Sequence, residues 1–171
     1  MKKIVKRVVV ALFLVALLLC SCSCTRAPKP EIKNGEFDFS VTYELNGETK
    51  TISGTYVCEF VGVSWAMDGY SREWNGYIKD SDMTSDVEIY KNGDETLCIN
   101  LDLSCKYFMS DPHYISQLSG EDIPAPAPSL YVMVPIETEW GKEYTYSDDI
   151  SAYDVRIVEY SYAKPIENVY K

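Results

Sequence analysis

The chain has 171 residues, is 46% hydrophobic and carries a net charge of −10, so it has the material for one packed domain and is short for two. This hydrophobic fraction excludes a wholly disordered chain. The acidic balance argues against binding the phosphate backbone of nucleic acids, which requires clustered Lys and Arg.

The N-terminus has the pattern of an export signal. A positively charged segment, Met1–Arg7, precedes an unbroken apolar run of 12 residues, Val8–Leu19. A helix that spans a bilayer needs about 20 such residues, so the run predicts the apolar region of a signal peptide and not a transmembrane helix.

The residues that follow, Leu19-Cys20-Ser21-Cys22, resemble the lipobox of bacterial lipoproteins. In that family a branched apolar residue stands three places before the cysteine that becomes the lipidated N-terminus, and a small residue stands immediately before it. Cys22 fits this pattern best, because Cys20 would put Leu19 at the cleavage position and Cys24 would put Ser21 where Leu is wanted. The alternatives are an ordinary cleaved signal and an uncleaved anchor that happens to end in cysteines.

The resemblance implies a division of the chain into three parts. Residues 1–21 would be a lipoprotein signal peptide, residues 22–35 a tether with a diacylglycerol on Cys22, and residues 36–171 one β-rich domain. Removal of residues 1–21 takes away four basic residues and no acidic one, so the mature charge would be −14. We therefore expect a lipid-anchored protein on the extracytoplasmic face of the cell membrane.

The first predicted strands form a hairpin. Residues 36–45 alternate apolar and polar side chains, which is typical of a half-buried strand. Asn46-Gly47 follows, and this dipeptide favours a two-residue type I′ turn. Such a turn pairs Leu45 with Glu48 and places Phe39 opposite Gly54, which leaves room for the phenyl ring.

A second hairpin is predicted around Asn92-Gly93, between strands over 86–91 and 95–103. A two-residue loop would place the leucines of the later strand opposite Asp86 and Glu88. A three-residue loop with a glycine bulge places them beside Val87 and Ile89, so we predict the bulged form.

Two further strands are predicted over 130–136 and 152–162. In the last strand the apolar phase changes at Ile157-Val158, which indicates a bulge or burial on both faces. Asp111-Pro112 and Gly120 suggest one short helix over 112–119, and residues 123–128 read as a polyproline-like connector. Together the elements predict a mainly β fold, a single antiparallel β-sandwich or small barrel with one short helix.

The body of the chain contains three cysteines: Cys58, Cys98 and Cys105. By face assignment Cys58 and Cys105 both point inward and are a possible disulfide pair, although buried free thiols are the alternative. The chain has no CxxC motif, so the sequence predicts no zinc site and no redox motif.

The sequence contains no motif that specifies a catalytic site. The single histidine, His113, excludes metal sites that need several histidines. Cys105, which closes a predicted strand, faintly resembles the strand-ending cysteine of the sortases, but in that family the histidine precedes the cysteine and here His113 follows it. No pair of carboxylates stands out for a glycosidase. The segment 80–86 alternates oxygen-bearing residues but lacks the Gly and Glu of a calcium loop, so we read it as a solvated turn.

Aromatic residues are concentrated over 65–77. Trp65, Tyr70, Trp74 and Tyr77 are interspersed with polar side chains, a composition that suits sugar binding by ring stacking but more commonly reflects core packing beneath a long loop. Aromatic residues of this kind also suit protein interfaces, so the segment does not separate a glycan from a protein partner.

These observations favour a non-enzymatic binding or interaction module that is held at the membrane by its lipid anchor. The alternative is binding of a cell-wall glycan through Trp65, Tyr70, Trp74 and Tyr77, and a hydrolase is the third possibility. The expected partners are the membrane and an envelope protein or glycan, with no nucleic acid, metal or cofactor. The whole chain loosely resembles small exported lipoproteins of Gram-positive bacteria, a resemblance that implies no activity.

Overall fold

The computed structural model of the chain describes residues 27–66, 69–112 and 125–171. These residues form eight strands and one helix of a single turn. In chain order the elements are β1 (Asn34–Leu45), β2 (Glu48–Ala66), β3 (Gly69–Ile78), β4 (Asp86–Asn92), β5 (Glu95–Asn100), α1 (Cys105–Phe108), β6 (Ser129–Thr138), β7 (Gly141–Ser147) and β8 (Val155–Tyr162).

The strands form two antiparallel sheets of four strands each. The first sheet has the order β3-β2-β1-β8, and the second has the order β4-β5-β6-β7. Buried side chains from both sheets, among them Phe37 and Val41 of β1 and Leu97 and Ile99 of β5, form one hydrophobic core. The predicted mainly β fold is confirmed, with two separate sheets in the manner of a sandwich and not a barrel.

The β1–β2 hairpin has the predicted register. Leu45 pairs with Glu48 and Phe39 with Gly54. Asn46 and Gly47 have φ values of 52° and 79°, the positive values that a type I′ turn requires at both positions. A Cβ atom added to Gly54 would lie 3.2 Å from the Phe39 ring, so the glycine does leave the space that the ring occupies.

The predicted three-residue loop of the second hairpin is wrong. Asn92 pairs with Glu95, so the loop has two residues, and Gly93 has a φ of 63° at its first position. Glycine at that position suits a type II′ turn. The register shifts farther along, between Glu88 and Tyr90, and beyond the shift Val87 pairs with Ile99 as predicted. The bulge therefore exists, but it lies inside the strand and not at the turn.

The strand predicted to run to Leu103 ends earlier. β5 stops at Asn100, and Asp102 takes a left-handed φ of 51°, which breaks the extended backbone. The chain then turns into α1, which the sequence did not predict. Of the helix predicted over 112–119, the structure describes only Pro112.

The last strand contains the predicted irregularity. β8 begins at Val155, three residues later than predicted. Its register against β1 shifts between two neighbouring residues of β1: Tyr43 pairs with Ile157, and Thr42 pairs with Glu159. Val158 is thus the bulged residue, and its side chain is exposed. The change of apolar phase is explained by a bulge on an edge strand and not by burial on both faces.

The helix α1 closes one end of the core. The ring of Phe108 stacks on that of Phe37 with centroids 4.7 Å apart, and a disulfide joins Cys105 of α1 to Cys58 of β2. The disulfide closes a loop over a sequence separation of 47 residues. Loop-closure entropy assigns roughly 4 kcal/mol of stabilisation to a cross-link of that span.

The two ends of the described chain lie side by side. The backbone N–H of Lys29 donates to the carbonyl of Lys171 (2.7 Å), the reverse bond is 3.0 Å, and Pro30 forms a bridge with Tyr170. Ala27 and Pro30 are buried. The part of the predicted tether from residue 27 onward therefore packs against the domain.

Candidate functional site

The second sheet turns one face to the core and the other away from it. Leu97 and Ile99 are fully buried in the core, so the alternating residues Cys98 and Asn100 lie on the opposite face. Cross-strand pairing puts Tyr131 beside Cys98 on that same face. We call it the outer face.

A groove of about 350 Å³ crosses the outer face. This volume is at the small end of the range for small-molecule sites. The groove is lined by two tyrosine rings, two carboxylates, an amide and a hydroxyl, from Asp86, Asn100, Ser129, Tyr131, Tyr146 and Asp148. Three adjacent strands and the end of β7 supply these groups, so the sheet itself fixes their spacing. We refer to this feature as the outer groove.

Hydrogen bonds hold the polar floor of the outer groove in place. The Asn100 side-chain amide donates to Asp86 Oδ1 at 2.7 Å, and Asn100 Oδ1 accepts from the backbone N–H of Asp102, also at 2.7 Å. Asp102 in turn accepts from the backbone of Ala127 at 3.1 Å. The left-handed turn that ends β5 thus orients the amide of the groove.

Aromatic side chains extend from the outer groove along the β6–β7 hairpin. The rings of Tyr131 and Tyr146 meet edge to face with centroids 5.5 Å apart. Tyr146 is 67% exposed, Tyr144 is 53% exposed, and Trp140 in the turn is 90% exposed. Exposed aromatic side chains this close together make this part of the outer face a candidate contact surface.

Burial keeps the side chains of Tyr131 and Cys98, at the outer groove, in their neutral forms. Burial, together with hydrogen bonding to the Asp86 carboxylate, raises the pKa of Tyr131, so its phenol stays protonated. Burial also raises the pKa of the Cys98 thiol beneath it, and a protonated thiol is a poor nucleophile. The six lining residues include two carboxylates and no basic side chain.

The aromatic segment over 65–77, expected to be a long loop, is part of a β-hairpin instead. Trp65 pairs with Tyr70, and Trp74 pairs with Phe60, across β2 and β3. Trp74 is half-buried against the Phe60 ring, and its indole N–H donates to Asp111 Oδ2 at 3.1 Å.

The four aromatic residues of this segment are not brought onto one surface. Successive strand residues point to opposite faces, so Tyr77 lies on the other face of β3 from Tyr70 and Trp74. Tyr77 is exposed there and donates to Glu59 at 3.1 Å. The side chain of Trp65 lies outside the described part of the structure.

Trp74 belongs to a buried polar cluster that the sequence did not reveal. Arg72 and Asp111 are 2% and 1% exposed, and their ion pair spans 2.5 Å. The guanidinium also donates to the carbonyl of Pro28 at 2.9 Å and lies 4.3 Å from the centre of the Tyr170 ring. The cluster therefore ties β3 to both ends of the described chain.

Cysteine catalysis finds no support in this arrangement. Cys105 is held in the disulfide with Cys58, and His113 lies outside the described residues. Within the described ranges Cys98 is the one cysteine outside a disulfide, and it is buried.

The described residues contain no group of three acidic, histidine or cysteine side chains that could hold a metal ion, and this includes the segment 80–86. In the same part of the chain, no helix has the length and hydrophobicity needed to cross a membrane.

No protein-family model, curated protein or solved structure matches the chain.

The sequence did contain a signal for the outer groove. Tyr131 and Met133 alternate with Leu130, Val132 and Val134, so β6 carries large side chains on both faces. In a strand with only one face in a core, apolar residues instead alternate with polar ones. The tyrosines of the next strand share that phase, and the contacts that unite them with Asp86 and Asn100 depend on the pairing of β4, β5 and β6, which no local pattern specifies.

Proposed function

We propose that the chain is a membrane-anchored extracytoplasmic lipoprotein whose β-domain is a non-enzymatic binding module, and that the outer groove is its ligand site. The observation that carries the proposal is the combination, on one sheet face, of exposed tyrosine rings with hydrogen-bonded polar groups. The rings of the Trp65–Tyr77 segment do not share one surface in this way. The sugar-binding alternative is therefore better supported at the outer groove than at that segment.

The lipid anchor is tested at Cys22. In a bacterial host that processes lipoproteins, the unchanged chain is expected in the membrane fraction with a lipid-modified N-terminal peptide detectable by mass spectrometry. Cys22→Ser should remove that modification and release the protein from the membrane, because the thioether cannot form on serine. Cys24→Ser is the matched control and should leave both unchanged. Lipid on Cys20 or Cys24, or none at all, would contradict the assignment.

The binding role is tested by sedimentation with insoluble cell-wall polymer that has been freed of lipid and protein. We expect the chain to sediment with the polymer and Tyr146→Ala to reduce the bound fraction, since the ring forms one side of the outer groove. Tyr160→Ala removes an exposed tyrosine from the first sheet and should leave binding unchanged. Tyr77→Ala tests whether the Trp65–Tyr77 segment binds the polymer instead. If Tyr77→Ala abolishes sedimentation and Tyr146→Ala does not, the ligand site is wrongly placed.

A further inference from the structure

We infer that the outer groove binds a glycan chain that carries no negative charge. We further infer that it prefers sugars with a free, protonated amino group over their N-acetylated, neutral counterparts. The inference rests on the proposed function and names the class of ligand for the same site. It follows from three features of the groove: its rings, its acceptors and its charge.

The rings suit the apolar faces of sugars. Tyr146 is 67% exposed at the groove and meets Tyr131 edge to face, so part of its ring surface is open to a ligand. A pyranose presents C–H groups on one face and hydroxyls around its rim. The C–H groups pack against an aromatic ring, while the hydroxyls remain available for hydrogen bonds.

The polar groups of the groove are mostly hydrogen-bond acceptors. Asp86 and Asp148 offer carboxylate oxygens, and Ser129 offers a hydroxyl that can donate or accept. The Asn100 amide gives one of its two N–H groups to Asp86, and its oxygen accepts from the backbone N–H of Asp102, so it adds one donor to a set dominated by carboxylate oxygens. A ligand rich in donors, such as a polyol, fits this set better than one rich in acceptors.

The charge of the groove selects against anions. Asp86 and Asp148 line it with no basic residue among the lining side chains, Lys91 near Tyr144 is paired with Glu88 at 3.0 Å, and the mature chain would be acidic as a whole. Phosphate-bearing polymers and uronic acids would meet repulsion, which is an effective way to reject a wrong ligand. A protonated amino group on the sugar would be attracted to the same carboxylates.

The aromatic side chains beyond the groove indicate a chain of rings and not a single sugar. Tyr144 lies two residues before Tyr146 and on the same face of β7, which puts it roughly 7 Å away along the strand. It is 53% exposed, and Trp140 in the adjoining turn is 90% exposed. Successive sugar units can therefore contact successive rings.

The test uses the full chain in detergent micelles and three hexasaccharides of different charge: fully acetylated chitohexaose, its fully deacetylated form and a hyaluronan fragment. Isothermal titration calorimetry should show tightest binding for the deacetylated saccharide, weaker binding for chitohexaose and none for hyaluronan. Tyr146→Ala should weaken binding of the first two by about fivefold to tenfold, since one ring contact is lost. Tyr160→Ala is the control and should bind as the unchanged chain does.

Two further measurements separate charge from shape. Asp148→Asn should retain binding of chitohexaose and lose the preference for the deacetylated form, because the carboxylate is removed and a polar side chain remains. The bound saccharide should also slow alkylation of Cys98, followed by mass spectrometry of its peptide, since this buried thiol lies beside Tyr131.

Binding of hyaluronan as tight as that of chitohexaose would overturn the inference, and so would binding that Tyr146→Ala leaves unchanged. If none of the three saccharides binds while sedimentation with cell-wall polymer still depends on Tyr146, the inference fails and the proposed function stands. If both fail, the outer groove is not the ligand site.

Discussion

The Asp111 carboxylate is one of two buried charged groups in the described part of the chain, the other being the Arg72 guanidinium. It accepts hydrogen bonds from both the Arg72 guanidinium and the Trp74 indole, although it lies only 1% exposed. The pair joins residues that are 39 apart in the chain, so no local pattern reveals it. The sequence alone suggests a helix cap at Asp111 and, at Arg72, one of the polar side chains between the aromatic residues of 65–77.

At this residue scale we predict that Asp111→Ala destabilises the domain by about 3–5 kcal/mol, because it leaves a buried guanidinium without its carboxylate. Urea unfolding of the chain from residue 26 onward, followed by circular dichroism, measures the change. Arg156→Ala breaks an ion pair whose arginine is 72% exposed and should cost no more than about 1 kcal/mol. Equal losses for the two variants would show that the buried pair contributes no more than a surface pair.

Among the elements, the first hairpin could be predicted to the residue because its information is local. An alternating strand and an Asn-Gly turn fix the register before any distant contact forms. The hairpin of β2 and β3 was not predicted, although the turn-favouring dipeptide Asp68-Gly69 stands where β3 begins. The bulge at Val61 and the rings around that turn obscure the alternation. The end of β5 depends on a left-handed Asp102, whose amide is bonded to Asn100, and no strand pattern predicts this.

At the scale of elements, Gly76 sets the distance between β3 and the disulfide. A Cβ atom at this position would lie 2.0 Å from the Tyr56 hydroxyl and 2.9 Å from the sulfur of Cys105. Gly76→Ala should therefore lower the free energy of unfolding by about 1–3 kcal/mol, as overpacking of a filled core does. Gly62→Ala, with no atom within 4 Å of the added Cβ, should be neutral or slightly stabilising. The same urea titration compares them, and a Gly76→Ala variant as stable as Gly62→Ala would contradict the close packing.

At the scale of the whole molecule, tyrosines from several parts of the fold have pKa values raised in the same direction. Burial raises the pKa of Tyr56 and of Tyr162, and burial with the nearby Asp111 carboxylate raises the pKa of Tyr170 to about 12. In the unfolded chain these phenols titrate near 10. The folded state therefore holds protons that the unfolded state releases, so the contribution of these phenols to stability is fully present below pH 10 and is lost as the pH rises through their folded pKa values.

We predict that the free energy of unfolding falls between pH 10 and 12 and that Tyr170→Phe makes this fall less steep. One proton corresponds to a slope of about 1.4 kcal/mol per pH unit. The slope is the useful readout, because the variant also loses the 2.7 Å bond from the Tyr170 hydroxyl to the carbonyl of Met109. A Cys98→Ala background prevents thiol attack on the disulfide during the titration. An unchanged slope would show that Tyr170 titrates alike in both states.

The pairing of the two chain ends has a mechanical consequence. With Cys22 fixed in a membrane and the outer groove holding a polymer, as proposed, any movement between the two pulls on the chain at residue 27. The load falls first on the backbone bonds between Lys29 and Lys171 and on the Arg72 contact with Pro28. These bonds join the tether to one backbone segment and one side chain that belong to neither sheet's interstrand pairing, so they can break while both sheets remain intact. Under tension, the segment between residue 27 and β1 would therefore detach and extend before either sheet unfolds.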